Sequence, residues 1–219
     1  MPNQAARTLK APPRQPRSEA TLRKVLGATN RLLERMHFED ITIGQILELS
    51  GVSAGSFYAR FHSKEDVLPH LYAEYSADLA GRMAGHTDRS RWAGQPLAAR
   101  VRGLMRMAVS AYRERRGLLR AVALLARSRP KLVAKSALRE RDDQYRAAAA
   151  LLLECRAEIR HPDPERAVQA GILMVLAACR DKVLFAEAPH PASVPLDDEQ
   201  LALELARALY AYLVHPADF

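Results

Sequence analysis

Three helix-starting residues, Thr42, Ser53 and Ser63, follow one another at intervals of eleven and ten residues. Each carries a short hydroxyl that can accept a bond from the free N–H groups at the start of a helix. Such spacing allows only a few helical turns before each helix must stop. The first stop is explicit, because Ser50-Gly51-Val52-Ser53 places a glycine where the chain turns with positive φ. After Thr42, the residues Ile43, Ile46 and Leu47 share one face of a short helix. After Ser53, a second helix is expected over 54–61, with Phe57 and Phe61 four residues apart on its inner side. Val52 fills the angle between the two. The pair reads as a helix-turn-helix unit, leaving Ser53, Ser56, Tyr58 and Arg60 to face outward. Short polar groups at the start of a second helix suit base edges and phosphates in a major groove.

The rest of the chain also reads as helix. Leu22, Val25, Leu26, Leu33 and Met36 recur at helical spacing, which predicts a first helix over 19–36. Glu65 and Asp66 open a helix expected to run from Ser63 to about residue 83, where negative charge favours a helix start. A loop is expected over 85–95. Glycine and proline punctuation then delimits helices over 96–115, 118–128, 131–159, 164–187 and 197–213, with a loop at Pro189–Pro195. No strand pattern and no repeat is found. The expected class is all-α. A basic, proline-rich arm (1–17) precedes a three-helix helix-turn-helix domain (18–64), followed by a second helical domain (65–219).

Composition narrows the function classes. Hydrophobic residues are 48% and charged residues 26% of 219, the balance of a globular chain. Aromatics are only 6%, so the core must be aliphatic. The longest nearly pure apolar run, Ala170–Cys179, is ten residues, against the roughly 20 a bilayer crossing needs. The basic N-terminus has no apolar stretch behind it and does not read as a secretory leader. Cys155 and Cys179 form no C-x-x-C pair, and the expected location is the reducing cytoplasm. His62, His70 and His86 are not at ligand spacing, so no metal is expected. No nucleophile elbow or phosphate-binding glycine loop is present, so neither catalysis nor a cofactor is expected.

Net charge is +8, unevenly spread: +5 over 1–64, −2 over 65–99, +11 over 100–141 and −6 over 142–219. A basic head suits a polyanion. In the basic middle, Arg102, Arg106, Arg113 and Arg116 lie opposite a stripe of Leu104, Met105, Ala108, Ala111 and Tyr112. Crowded like charges are costly unless something anionic offsets them. An anionic effector, a DNA backbone or the chain's own acidic C-terminal region could do so, and the last requires no ligand.

The segment 42–68 resembles the TetR family of transcriptional repressors. Thr42, Ile46, Gly51-Val52-Ser53, Gly55-Ser56-Phe57-Tyr58, Phe61, Lys64-Glu65 and Leu68 carry the resemblance, which spans about residues 19–70. Leu47 stands where the family usually has alanine, and His37 where glycine often closes the first helix. The resemblance implies a homodimer on double-stranded operator DNA, with contacts from Thr42, Ser53, Ala54, Ser56, Tyr58, Arg60 and Lys64. Thr42 would offer its hydroxyl and helix N-terminus to a phosphate, and Lys64 would reach the backbone. It further implies that 65–219 is an effector-binding and dimerisation domain, with a small-molecule effector held among the middle helices and Met105, Tyr112, Leu118, Leu125 and Tyr145 as inward candidates. That ligand is expected to be largely apolar, with a carboxylate or phosphate head as an option. Dimerisation is assigned to the last two helices, through Ala170, Leu173, Met174, Ala177, Leu205, Leu209 and Tyr212. From another class, the alternative is a helical adaptor that grips acidic partners with its basic middle.

Overall fold

The computed structural model describes residues 16–130, 135–187 and 194–215. The expected arm falls almost wholly outside these residues, as does most of the expected Pro189–Pro195 loop. Among the described residues there is no strand. The elements are α1 (Pro16–Leu33), α2 (Ile43–Ser50), α3 (Ala54–Tyr58), α4 (Leu68–His86), a four-residue α5 (Arg89–Trp92), α6 (Leu97–Glu114), α7 (Arg116–Ser128), α8 (Lys135–Leu153), α9 (Pro164–Leu184) and α10 (Asp198–Val214). Short 3-10 turns precede α2 (Phe38–Asp40) and α4 (Lys64–Val67).

The chain divides into two compact units, one of residues 1–76 with 115–138, the other of 77–114 with 139–219. In the first unit, α1 packs against α2, α3 and α7, and α7 also meets the Phe38–Asp40 turn. The core holds Val25, Leu26, Ile41, Ile46, Phe57, Phe61, Val67 and Leu68, all buried. Thr29, also buried, satisfies its hydroxyl by donating to the Val25 carbonyl at 2.9 Å. Gly117 marks the closest approach, since a Cβ there would lie 2.2 Å from the Leu33 carbonyl oxygen. Glycine alone lets the start of α7 rest on the end of α1. Arg120 on α7 reinforces the contact by donating to the Glu39 carboxylate at 3.0 Å. Burial favours the neutral acid at Glu39, but a backbone hydrogen bond and the Arg120 guanidinium outweigh it and hold its pKa down.

In the second unit, α6, α9 and α10 pack on one another. Their core is aliphatic, as the low aromatic content requires: Val101, Leu104, Val183, Leu184, Leu209 and Leu213 are all buried. Gly171 lets α10 come close, because a Cβ there would meet Leu209 Cδ1 at 2.5 Å. Gly103 makes room for the Trp92 ring in the same way. Arg100 is buried yet well paired, donating to the carbonyls of Trp92 (2.9 Å), Gln95 (3.2 Å) and Leu151 (2.9 Å) and to the Glu154 carboxylate (2.6 Å). A buried guanidinium is tolerable only with such extensive pairing.

Part of the basic middle is offset from within. Arg106 forms a bidentate pair with Glu199, and Arg113 another with Asp198 at 2.6–3.1 Å. Both acids sit in the first turn of α10, where a carboxylate also complements the helix dipole. Of the three anionic sources considered, the C-terminal region supplies the counter-charges of these two arginines.

Several element boundaries differ from the sequence expectations. The second short helix is Ala54–Tyr58 rather than 54–61. A 3-10 turn precedes α4, which continues to His86, and the expected loop 85–95 contains the turn-long α5. Asp88 caps that turn by accepting from the Ser90 amide at 2.7 Å.

Candidate DNA interface

The chain enters α2 through a reciprocal cap. The Gln45 amide donates to Thr42 Oγ1 at 3.2 Å, and Gln45 Oε1 accepts the Thr42 N–H at 2.8 Å. The Thr42 hydroxyl also donates to Gln45 Oε1 at 3.0 Å. Thr42 is exposed, but its hydroxyl is engaged both as donor and as acceptor. What α2 leaves available at its start is the helix terminus rather than the expected hydroxyl. Gly51 closes α2 in the left-handed region at φ 63°, as the sequence requires. His37 adopts an extended backbone (φ −71°, ψ 147°), so no glycine is needed there. Leu47 is half-buried beside the fully buried Ile46.

Ser53 caps α3, accepting the Ser56 amide at 3.3 Å and donating to the Ser56 hydroxyl at 3.0 Å. Within this five-residue helix only Phe57 is buried. Its ring packs on Phe61 with centroids 5.1 Å apart and edge-on to Tyr58 at 5.5 Å. Ser53, Ala54, Ser56 and Tyr58 are all exposed, and Tyr58 leaves half of its surface, 51%, in solvent. One aromatic anchor thus buries a helix whose remaining side chains all point away from the core.

Two other expected contacts are placed differently. Arg60 does not face outward. It is half-buried, and its Nη1 donates to the Ser18 hydroxyl on α1 at 2.7 Å. Lys64 directs its ammonium to the carbonyls of Phe38, Glu39 and Ile41 rather than outward. Nearby, the start of the Lys64–Val67 turn is tied by Asp66, which accepts the N–H groups of His62 (2.8 Å) and Ser63 (3.3 Å). His70 stacks edge-on against Phe61 at 5.8 Å. Burial, and secondarily the Arg60 charge, lower its pKa, with Asp66 pulling the other way.

Sequence reasoning missed the capping bonds of Gln45 and Asp66 and the pair Glu39–Arg120. The first two had a signal, since Thr42-x-x-Gln45 and Ser63-x-x-Asp66 have capping-box spacing. The pair Glu39–Arg120 had none, because nothing local links residues so far apart in sequence.

The remaining candidates fall into two groups. In the second unit Met105 is buried, while Tyr112 and Tyr145 are half-buried. Burial drives the Tyr112 phenol up to about 12, with the Tyr145 hydroxyl adding to the rise and Arg141 and Arg180 opposing it. Arg141 donates to the Tyr145 hydroxyl at 3.2–3.3 Å. Leu118 and Leu125 are core residues of α7 in the first unit. On α9, Leu173 (66%) and Met174 (51%) are exposed large apolar side chains, with Ala170 and Ala177 half-buried near them in sequence. Leu205 and Leu209 on α10 are instead buried within the chain's own core, and Tyr212 is half-buried.

This geometry defines a helix-turn-helix module joined in sequence to a second, all-helical unit. Residues 25–71 match the sequence model of the bacterial regulatory proteins of the tetR family. The chain thus carries the N-terminal domain of the TetR family of DNA-binding transcription regulators. Among curated proteins, none matches the sequence. Solved structures share the fold over most of the chain. A TetR transcription regulator from Haloarcula marismortui is 17% identical with a TM-score of 0.62, over 89% of this chain and 97% of that one. A bacterial regulatory protein in the tetR family from Rhodococcus RHA1 is 15% identical with a TM-score of 0.61, over 90% and 98%. FadR of Thermus thermophilus, a TetR-family repressor in complex with lauroyl-CoA, is 17% identical with a TM-score of 0.56, over 90% and 96%. No helix among the described residues is long and apolar enough to cross a membrane.

Proposed function

We propose that this chain is a dimeric repressor that leaves its operator when a small molecule binds. The observation that carries the DNA half is the exposed face of α3, where Ser53, Ala54, Ser56 and Tyr58 face solvent while Phe57 alone is buried. The α2 terminus would meet a phosphate and Tyr58 a phosphate or a thymine methyl. Support for the dimer comes from Leu173 and Met174, two large apolar side chains on one helix that the chain's own core does not cover. Support for an effector site is thinner and lies in the second unit, where Met105 and the two phenols combine an adaptable apolar surface with a few polar handles. An acyl-type ligand, as in the Thermus repressor's complex, fits that mixture. Effector binding and DNA binding then oppose each other by linkage.

The direct experiment is selection of duplexes from a random-sequence pool by the purified protein, followed by Tyr58→Ala. An enriched sequence bound at least about tenfold more weakly by the variant, at unchanged helicity, is the expected result. Unchanged affinity rejects the assignment of α3. Met174→Arg is expected to give a folded monomer by size measurement; a variant that stays dimeric removes α9 from the interface. For the effector, a ligand that raises the melting temperature yet has equal affinity with and without the duplex is not an inducer.

A further inference from the structure

Lys64 places one ammonium against three main-chain carbonyls: Phe38 at 2.9 Å, Glu39 at 2.9 Å and Ile41 at 2.6 Å. A lysine ammonium has three protons, and here each has an acceptor. The charge also lies 4.9 Å from the centroid of the Phe38 ring, within cation–π range. All three acceptors lie in the corner between α1 and α2, and Ile41 directly precedes the Thr42 cap. The donor stands beyond α3, at the start of the turn leading into α4. A single side chain therefore pins together the two ends of segment 42–63, which contains α2, the Gly51 turn and α3. Phe57 anchors α3 in the core, and a helix this short also depends on how the chain is held at its two flanks.

We propose that Lys64 is a positioning residue for DNA reading. Its ammonium clips the two ends of the helix-turn-helix and so fixes the direction in which α3 presents Ser56 and Tyr58. It does not contact a phosphate. The inference rests on the DNA-binding reading of α3 and replaces the backbone contact that the family resemblance implies for this residue. Reaching out to a phosphate would strip a half-buried corner of bonds made by a charged donor, which are among the stronger hydrogen bonds in proteins. A compact ammonium is also the right group for carbonyls converging on one point. A guanidinium carries the same charge but spreads its donors in a planar fork.

The test compares wild type, Lys64→Arg and Lys64→Met on a duplex enriched from a random pool by the wild-type protein, and on a scrambled duplex. Circular dichroism selects a temperature at which all three are folded. Both variants are expected to lose about tenfold on the enriched duplex and little on the scrambled one. The salt dependence of Lys64→Met binding is expected to keep the wild-type slope. If Lys64→Arg binds like wild type while Lys64→Met lowers the slope by about one, Lys64 is a phosphate contact and the proposal fails. It fails equally if both variants keep the full preference for the enriched duplex. Should either variant not fold, the wild-type protein decides by nitrogen-15 NMR. The Lys64 ammonium signal is expected to be resolved through slow exchange and to stay in place when the enriched duplex saturates the protein. A shift on saturation overturns the clip. A wild-type chain that enriches no sequence removes the DNA-binding reading and this role with it, whereas normal wild-type binding with indifferent variants removes the role alone.

Discussion

The helix-turn-helix segment and the α9–α10 pair are both built from two consecutive helices that bury apolar side chains, but the first adds a set of directional ties to that burial. Around α2 and α3 the ties are directional and polar: Thr42 with Gln45, Ser53 with Ser56, Arg60 with Ser18, and Lys64 with three carbonyls. Between α9 and α10 the contact is apolar, with Leu209 and the Tyr212 ring lying over Gly171. Hydrogen bonds weaken steeply when bent, whereas burial of apolar area has no preferred angle. A module that must aim a five-residue helix needs the first kind of tie. A pair of long helices that supplies core volume can rely on the second.

The sharpest way to break the comparison is to remove aliphatic volume. Leu209→Ala deletes a side chain that is almost wholly buried, and is expected to cost about 3 kcal/mol in urea unfolding. A cost below about 1 kcal/mol, the size of a single methylene, would mean that Leu209 packs far less tightly than the structure shows.

Next in size is Gly117→Ala. The added methyl meets a main-chain oxygen, not a side chain that can swing aside. Loss of about 2 kcal/mol is expected from this overpacking. The same substitution at Gly27, whose Cβ position is open, is expected to stabilise by a few tenths to about 1 kcal/mol through helix propensity. Equal effects at the two glycines would show that α7 does not rest on Leu33.

The smallest expected effect is a pH dependence that separates the two regions. His70, beside the helix-turn-helix, has its pKa lowered by burial and then by Arg60. His86, against Trp92 in the second unit, is lowered by burial and then by Arg91. With a folded pKa below the unfolded one, the unfolded chain binds the extra proton. The stability these groups contribute is therefore present above the ordinary histidine range, about 6.5, and lost as pH falls through the lowered values. In the α9 core, burial pushes the Cys179 thiol up to about 12, so it does not titrate in this window. Melting curves between pH 8 and pH 5 are expected to fall at the acid end, less so in His70→Gln. A slope unchanged by that substitution would remove His70 from the account.

Much of the DNA-reading module was legible because its signals are local. Gly51 announced a left-handed turn, Thr42 and Ser53 announced caps, and the Phe57–Phe61 spacing announced which face is buried. Each depends on residues within a few positions, whose relation a helix or turn fixes by itself. The placement of Arg60 and Lys64 was not legible, because a long charged side chain reads the same in sequence whether it points at solvent or curls back to a neighbouring oxygen. On α10, the stripe containing Leu205 and Leu209 was legible as an apolar face, but not as the face turned toward the chain's own core.

The sequence by itself determined the all-helical class, the helix-turn-helix and the placement of its turn, since periodicity, capping and the glycine requirement are properties of neighbouring residues. Only the tertiary structure decided that the acidic start of α10 neutralises Arg106 and Arg113, that Gly117 seats α7 on Leu33, and that Lys64 bonds to the corner before α2. Those outcomes depend on which groups the packing brings within a few ångströms across long sequence separations, and no local pattern encodes that distance.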